Sequence, residues 1–436
     1  MRVNFLSKQN YTYNMTKPNN QNAFITIGAL FFIFGFVTWL NGILIPFLKR
    51  ACELTDLQSY LVATAFFAAY FVMAIPSSAI LEKVGTKNGM SIGLIVMAIG
   101  SLIFIPAANA RAFQIFLLGL FIQGTGLALL QTAANPYISV LGPIESAAQR
   151  ISIMGICNKF AAMVGTASFG TILLANVDNI QAKIDDKATD LATKSSLLTD
   201  LVGRINMPYT FLALFLFAMA ALIFKSDLPD IKEKATESED NDADKSKTSV
   251  FQYPQVLLGF LAIFFYVAAE VMAGDLITTY GKNLGFSTDQ SKFFVTFGLA
   301  GLLIGYLVSI VLIPKYVKQE VWLAVCTVLG LVLSIASCFV NENSAVFCLA
   351  ALGFANAVMW PAIFPLGIKN LGRFTNMGSA ILIMGIVGGA IVPPFYGWLY
   401  EKSGIGLDFR SAFMIVMSVC YLYILWFGLR GHKRQS

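Results

Sequence analysis

Histidine is almost missing from this chain of 436 residues: the single one, His432, lies in the C-terminal tail. A histidine-ligated metal site and a Ser-His-Asp triad are therefore excluded. The six cysteines (Cys52, Cys157, Cys326, Cys338, Cys348, Cys420) lie in or near apolar runs, show no metal-ligand spacing and read as free thiols. No glycine-rich nucleotide loop and no nucleophile–base arrangement is found. An enzyme is thus the weakest reading, and neither a cofactor nor a metal is expected. Charge is scarce too. Charged residues make up 12% of the chain and hydrophobic ones 57%, against roughly 25% and 45–50% in soluble domains. A soluble fold could not hide so much apolar surface, so the chain is integral to a membrane.

What is present is a succession of long apolar runs. A helix needs about 20 apolar residues to cross the hydrocarbon. Twelve runs qualify, at 23–48, 57–81, 88–107, 112–137, 151–175, 208–224, 249–280, 293–314, 321–340, 344–368, 375–399 and 411–429. The first is too long for a signal-peptide core and follows a polar, basic stretch (Arg2, Lys8, Lys17), so no cleavable leader is expected. Two longer polar segments interrupt the series, 176–207 and the acidic 225–248, which has the composition of a solvated linker. With the N-terminus inside, 18 of the 30 lysines and arginines fall in cytoplasmic segments and 11 outside. The positive-inside rule then places both termini and the acidic linker in the cytoplasm. The formal charge of +6 comes largely from these segments and calls for no nucleic acid.

The two halves resemble one another. ISIMGI at 151–156 and ILIMGI at 381–386 match at five of six positions, and at the same offset Leu141-Gly142 falls on Leu371-Gly372. That offset maps the fifth run onto the eleventh, as a six-plus-six duplication requires. The expectation is an all-α membrane protein with twelve transmembrane helices in two six-helix pseudo-repeats. Its parts are a cytoplasmic tail at 1–22, an N-terminal half at 23–224, the linker at 225–248, a C-terminal half at 249–429 and a tail at 430–436. Parallel repeats of this kind build the two halves of the major facilitator fold, with the site at the midplane between them.

Three charged residues lie inside the apolar runs: Lys159, Glu270 and Asp275. Each costs about 2.5–3.5 kcal/mol on insertion scales, so each needs a partner or a task. One cation against two carboxylates leaves room for one more positive charge. Lys159 is expected to pair across a cavity with Glu270 or Asp275, leaving the other carboxylate for a coupling ion, H+ or Na+. Snorkelling of Lys159 towards an interface, and a place for Asp275 at the outer end of its helix, are the structural alternatives.

Several motifs carry a family resemblance. Ser78-x-x-x-Glu82-Lys83-x-Gly85-Thr86-Lys87 resembles the loop between the second and third spans of major facilitator transporters, normally Gly-x-x-x-Asp-Arg/Lys-x-Gly-x-Arg/Lys. There Glu82, Lys83, Gly85 and Lys87 would form a gating loop, with a tight turn at Gly85. Asn41-Gly42-Ile43-Leu44-Ile45-Pro46 is similar to the Asn-Asp-Ile-Leu-hydrophobic-Pro element of the fucose permease and glucose/galactose transporter family. Gln131-Thr132-Ala133-Ala134-Asn135-Pro136-Tyr137, with Val140-Leu141-Gly142-Pro143, is similar to that family's fourth span. The run from Pro361 to Gly372 is similar to the tenth, and Tyr266-Val267-Ala268-Ala269-Glu270-Val271 to the seventh span of the hexose-transporting branch. Three departures stand out. Gly42 and Gln131 occupy positions where the fucose permease has acids linked to proton coupling, and Lys159 follows Asn158 where the family has Asn-Ser.

The resemblance implies a secondary transporter that imports a neutral monosaccharide by alternating access in a bacterial inner membrane, working as a monomer. Sugar hydroxyls call for amides, which both donate and accept, beside an aromatic face. The candidates are Gln131, Asn158, Trp360, Asn135, Asn41, Trp39 and Asn356. Amides in membrane helices also join helices to one another, and Asn135 before Pro136 can satisfy backbone freed by the proline. An uncoupled uniporter, an exporter of other small molecules and a non-transporting sugar sensor are the competing readings.

Overall fold

The computed structural model describes residues 18–54, 56–173, 175, 177–186, 190–226, 228, 248–274, 276–286, 294–400 and 405–434. Among them are twelve spans long and apolar enough to cross a bilayer: Gln21–Ala51, Leu61–Val84, Thr86–Asn109, Phe113–Val140, Ile144–Leu173, Leu191–Lys225, Pro254–Gly274, Phe294–Leu312, Gln319–Phe339, Glu342–Ile368, Gly372–Tyr400 and Phe409–Lys433. They are numbered one to twelve in chain order. Every described element is a helix, the form that satisfies all backbone polar groups inside one segment where no water is present to do so.

The packing repeats with a shift of six. Within the first half, span three packs on four and on six, one on five, and two on four. Within the second, nine packs on ten and on twelve, seven on eleven, and eight on ten. Contacts between the halves obey the same symmetry: two meets eleven as eight meets five, and four meets eleven as ten meets five. Glycine sets the closest approaches. A Cβ on Gly35 would overlap the backbone of Asn158, joining spans one and five, and a Cβ on Gly388 would overlap the backbone of Phe264, joining eleven and seven. Residues 158 and 388 differ by the same offset as the ISIMGI and ILIMGI runs, so the repeat seen in sequence is a repeat of contact.

The polar segment 176–207 is more than a connector. Val177–Asp185 and Leu191–Gly203 are helices, and span six begins at Leu191 where the hydropathy placed it at 208. Asp190 caps the second helix, its carboxylate accepting from the N–H groups of Ala192 and Thr193 at 3.2 Å. The Thr193 hydroxyl together with these N–H groups holds the Asp190 carboxyl below its usual range. Leu198, Leu201 and Val202 are buried, an apolar stripe that the polar average of the segment conceals. Span seven ends at Gly274, before the 280 expected, and a separate helix, Ile277–Asn283, follows it. Span ten breaks into Glu342–Asn356 and Met359–Ile368, because Pro361 has no N–H for the carbonyl four residues earlier and its ring crowds that carbonyl.

On the side where the chain enters span one, two glutamines join the halves end to end. The side chain of Gln319 donates to the Ile144 carbonyl at 3.2 Å and accepts from the Ala148 N–H at 3.3 Å. It thereby bridges two groups that an α-helix would pair directly. In return Gln149 Nε2 donates at 2.7 Å to the Ile310 carbonyl of span eight, whose normal donor position is Pro314. Each half satisfies a helix terminus of the other. Gln319→Leu leaves two of these groups unpaired, a cost of about 1–3 kcal/mol for each buried group, and weakens closure on this side. The expected result is faster labelling, from this side, of a cysteine placed at Ile386 in a chain with its own cysteines replaced. Unchanged labelling would show that apolar packing alone keeps the halves shut.

Candidate functional site

A cavity of about 230 Å³ lies between the halves, walled by spans one, two, four and five from the first and seven, eight, ten and eleven from the second. One water needs roughly 10–15 Å³ on this measure, so the space suits a small organic ligand. Gln131, Asn135, Asn158, Lys159, Trp39, Trp360 and Glu270 all line it, drawn from both halves. The polar groups on its wall are few and their partners specific.

Lys159 Nζ donates to Glu270 Oε1 at 2.9 Å across the cavity, with the two side chains 7% and 20% exposed. The ammonium also lies 4.7 Å from the centre of the Trp39 ring, a cation–π contact. Tyr266 and Tyr306 border Glu270 closely enough to feel its charge. Snorkelling is therefore not the solution this chain uses for Lys159. Asp275, the other carboxylate expected in a charge network, lies outside the described residues.

A second network runs along spans two, four and ten. Gln131 Nε2 donates to Tyr70 Oη at 3.2 Å, and Trp360 Nε1 donates to Asn135 Oδ1 at 3.2 Å. Asn135 Nδ2 in turn donates to the Gln131 carbonyl at 2.9 Å, so it both satisfies its own helix and holds the indole. Trp360 stands at the start of the helix that follows the break in span ten, tilted against Tyr266 and stacked on Phe364. Asn158 Nδ2 donates to the Phe31 carbonyl at 3.3 Å. That leaves the amide oxygens of Gln131 and Asn158 at the cavity wall with no hydrogen bond among the described residues, two fixed acceptors presented inward.

One candidate falls elsewhere. Asn356 is buried outside the large cavity and accepts from Tyr421 Oη at 2.9 Å, tying span ten to twelve. Asn41 lies on span one, and its side chain is outside the described residues. In the loop after span two, Gly85 takes a positive φ of 81°, the left-handed turn its type permits. Lys87 Nζ donates at 3.1 Å to the Ser226 carbonyl at the end of span six, a favourable place for a cation. Glu82 and Lys83 are exposed beside it. Sequence reasoning missed Tyr70, Tyr306 and the two glutamines, since aromatic residues at helical spacing read as core. The one available signal was Gly155, where a Cβ would strike the Tyr306 ring from the other half.

Twelve spans in two pseudo-symmetric halves around a cavity at their interface define a membrane carrier of the alternating-access class. A Major Facilitator Superfamily model matches residues 27–386. The chain is 33% identical to the glucose/galactose transporter of Brucella abortus over 426 residues, 97% of each chain. It is 29% identical to the L-fucose-proton symporter of Escherichia coli K12 over 388 residues, 87% of each chain. A solved structure of the transporter FucP in the outward conformation superposes with a TM-score of 0.80 at 27% identity, covering 94% of this chain and 98% of that one. The chain belongs to the Major Facilitator Superfamily, in its fucose permease and glucose/galactose transporter family.

Proposed function

We propose that this protein imports a neutral monosaccharide of the glucose, galactose or fucose type and couples its entry to a proton. The observation that carries the reading is the juxtaposition in one cavity of the Gln131 and Asn158 amides, whose oxygens have no partner among the described residues, with the Lys159–Glu270 pair. The amides accept from sugar hydroxyls, and the Trp360 and Trp39 rings offer faces to the apolar side of a pyranose. The paired charges sum to zero, which suits an uncharged cargo. Glu270 takes the coupling proton: once neutral it no longer holds Lys159, and the link it makes across the cavity between spans five and seven is released. The names of the fucose relatives support a proton. Sodium would have to sit against the Lys159 ammonium, which repels it.

The lysine and arginine distribution supports cytoplasmic termini in a bacterial inner membrane. With that orientation the glutamine caps shut the cytoplasmic side, and the form described is loaded from outside. The test is uptake of labelled glucose, galactose and fucose into proteoliposomes under an inward proton or an inward sodium gradient, imposed separately. Stimulation by the proton gradient is expected for at least one sugar. Stimulation by sodium alone would reassign the ion, and indifference to both would make the protein a uniporter.

A further inference from the structure

Glu270 and Trp39 line a second, smaller cavity as well, and the two residues are its shared wall with the large one. This cavity lies between spans seven, eight and ten and measures about 20 Å³, against the roughly 10–15 Å³ that one water requires. Two polar side chains that can serve a water line it. The first is the Glu270 carboxylate. The second is Asn356, 1% exposed, whose Oδ1 is occupied by Tyr421 while its Nδ2 donates to no described residue. Gly353 lines it too, near the break in span ten where the Ala357 N–H turns to the Phe354 carbonyl at 3.4 Å. One donor and one acceptor match a single water, which would accept from Asn356 and donate to Glu270. A bare cation would face the Asn356 N–H groups and is disfavoured.

We propose that this cavity is a water site that delivers the coupling proton to Glu270 from the side opposite the sugar, with Asn356 as its positioning residue. In the step, the water receives a proton from the aqueous phase while one of its own O–H bonds breaks, and that proton forms a new O–H bond on the Glu270 carboxylate. The water is regenerated, and the carboxylate becomes a neutral acid. Proton and sugar then reach the pair by separate routes, so either can bind first. The proposal rests on the proton-coupled reading above.

Glycine supplies the test. Gly298 is buried and lines the small cavity, yet a Cβ added there meets nothing within 4 Å. Gly298→Ala therefore puts a methyl group into the cavity without collision, and in a helix the exchange favours folding. Proton-driven accumulation and sugar counterflow, which needs no net proton movement, are measured side by side in proteoliposomes for the parent and for Gly298→Ala, Asn356→Leu and Asn356→Ser. The expected result is parent-like counterflow in Gly298→Ala with accumulation reduced at least tenfold, the same split in Asn356→Leu, and partial retention in Asn356→Ser. Parent-like accumulation in Gly298→Ala overturns the water site. Loss of accumulation and counterflow together in Gly298→Ala also overturns it, since the cavity would then serve packing. A parent that shows no proton-driven accumulation overturns the underlying reading instead.

Discussion

Lys159→Met abolishes gradient-driven sugar uptake, while the double variant with Glu270→Gln regains sugar exchange without accumulation; this is the largest effect expected. Removing one partner of a buried ion pair costs about 3–5 kcal/mol, because the other charge stays behind unpaired, whereas removing both is often close to neutral. Glu270 has no second cation at hydrogen-bond distance among the described residues. In Lys159→Met the Glu270 side chain therefore has no cation to pair with, and the link between spans five and seven can no longer be made and broken during the cycle. The double variant has an amide facing a thioether, which folds and binds sugar but has nothing to titrate. Initial uptake rates, accumulation ratios and counterflow on the three variants (each single and the double) decide it. Unchanged gradient-driven uptake by Lys159→Met would falsify the role of the pair.

Gln131→Leu raises the apparent KM for the transported sugar by roughly tenfold to a hundredfold with a much smaller change in maximal exchange rate. The substitution keeps the side-chain volume near that of glutamine and deletes the amide oxygen, which has no partner among the described residues. A bound sugar hydroxyl then loses the acceptor at this point of the wall, at about 1–3 kcal/mol per group left unsatisfied. It also takes from Tyr70 Oη the Gln131 donor at 3.2 Å and leaves it the hydrogen bond with Thr38. Tyr70→Phe separates the two consequences: it removes the hydroxyl and leaves the amide. A KM shift in Gln131→Leu and none in Tyr70→Phe identifies the amide as the sugar contact. Equal shifts in both return Gln131 to helix joining. Equilibrium exchange measured over a range of sugar concentrations reads both.

The position of Gln131 also explains how the carrier differs from the fucose permease pattern. That pattern has an acid here and another at 42, where this chain has Gly42. The carboxylate of the described cavity wall is Glu270, in the opposite half, with a lysine from the first half as its partner. Charge has moved across the cavity, and the vacated position on span four keeps only its hydrogen-bonding capacity.

The twelve spans were legible because lipid permits few solutions: about 20 apolar residues in a row have one use, and composition alone reveals them. The duplication was legible through ISIMGI and ILIMGI because the same close helix contact, made at Asn158 and at Gly388, demands similar small and branched residues in both halves. Lys159, Glu270 and Asp275 were marked as charges to be answered, with either carboxylate open as the partner of the lysine, since charge in an apolar run is costly wherever it lies. Other features stayed hidden. The helices of 176–207 were masked by averaging over a short amphipathic stretch. Asn356 and Asn158 look alike in sequence, as amides in apolar helices, and only the break at Pro361 turns one of them away from the large cavity.

By itself, then, the sequence determined what must be buried in the membrane, how many times the chain crosses it, and which charges required an answer. These follow from transfer free energies, which are properties of each residue and its near neighbours. The tertiary structure alone decided that Lys159 answers Glu270, that Gln149 and Gln319 cap each other's halves, and that Glu270 faces two cavities. Those depend on where helices more than a hundred residues apart come to rest against one another, and hydrogen bonds of about 3 Å are set by that placement.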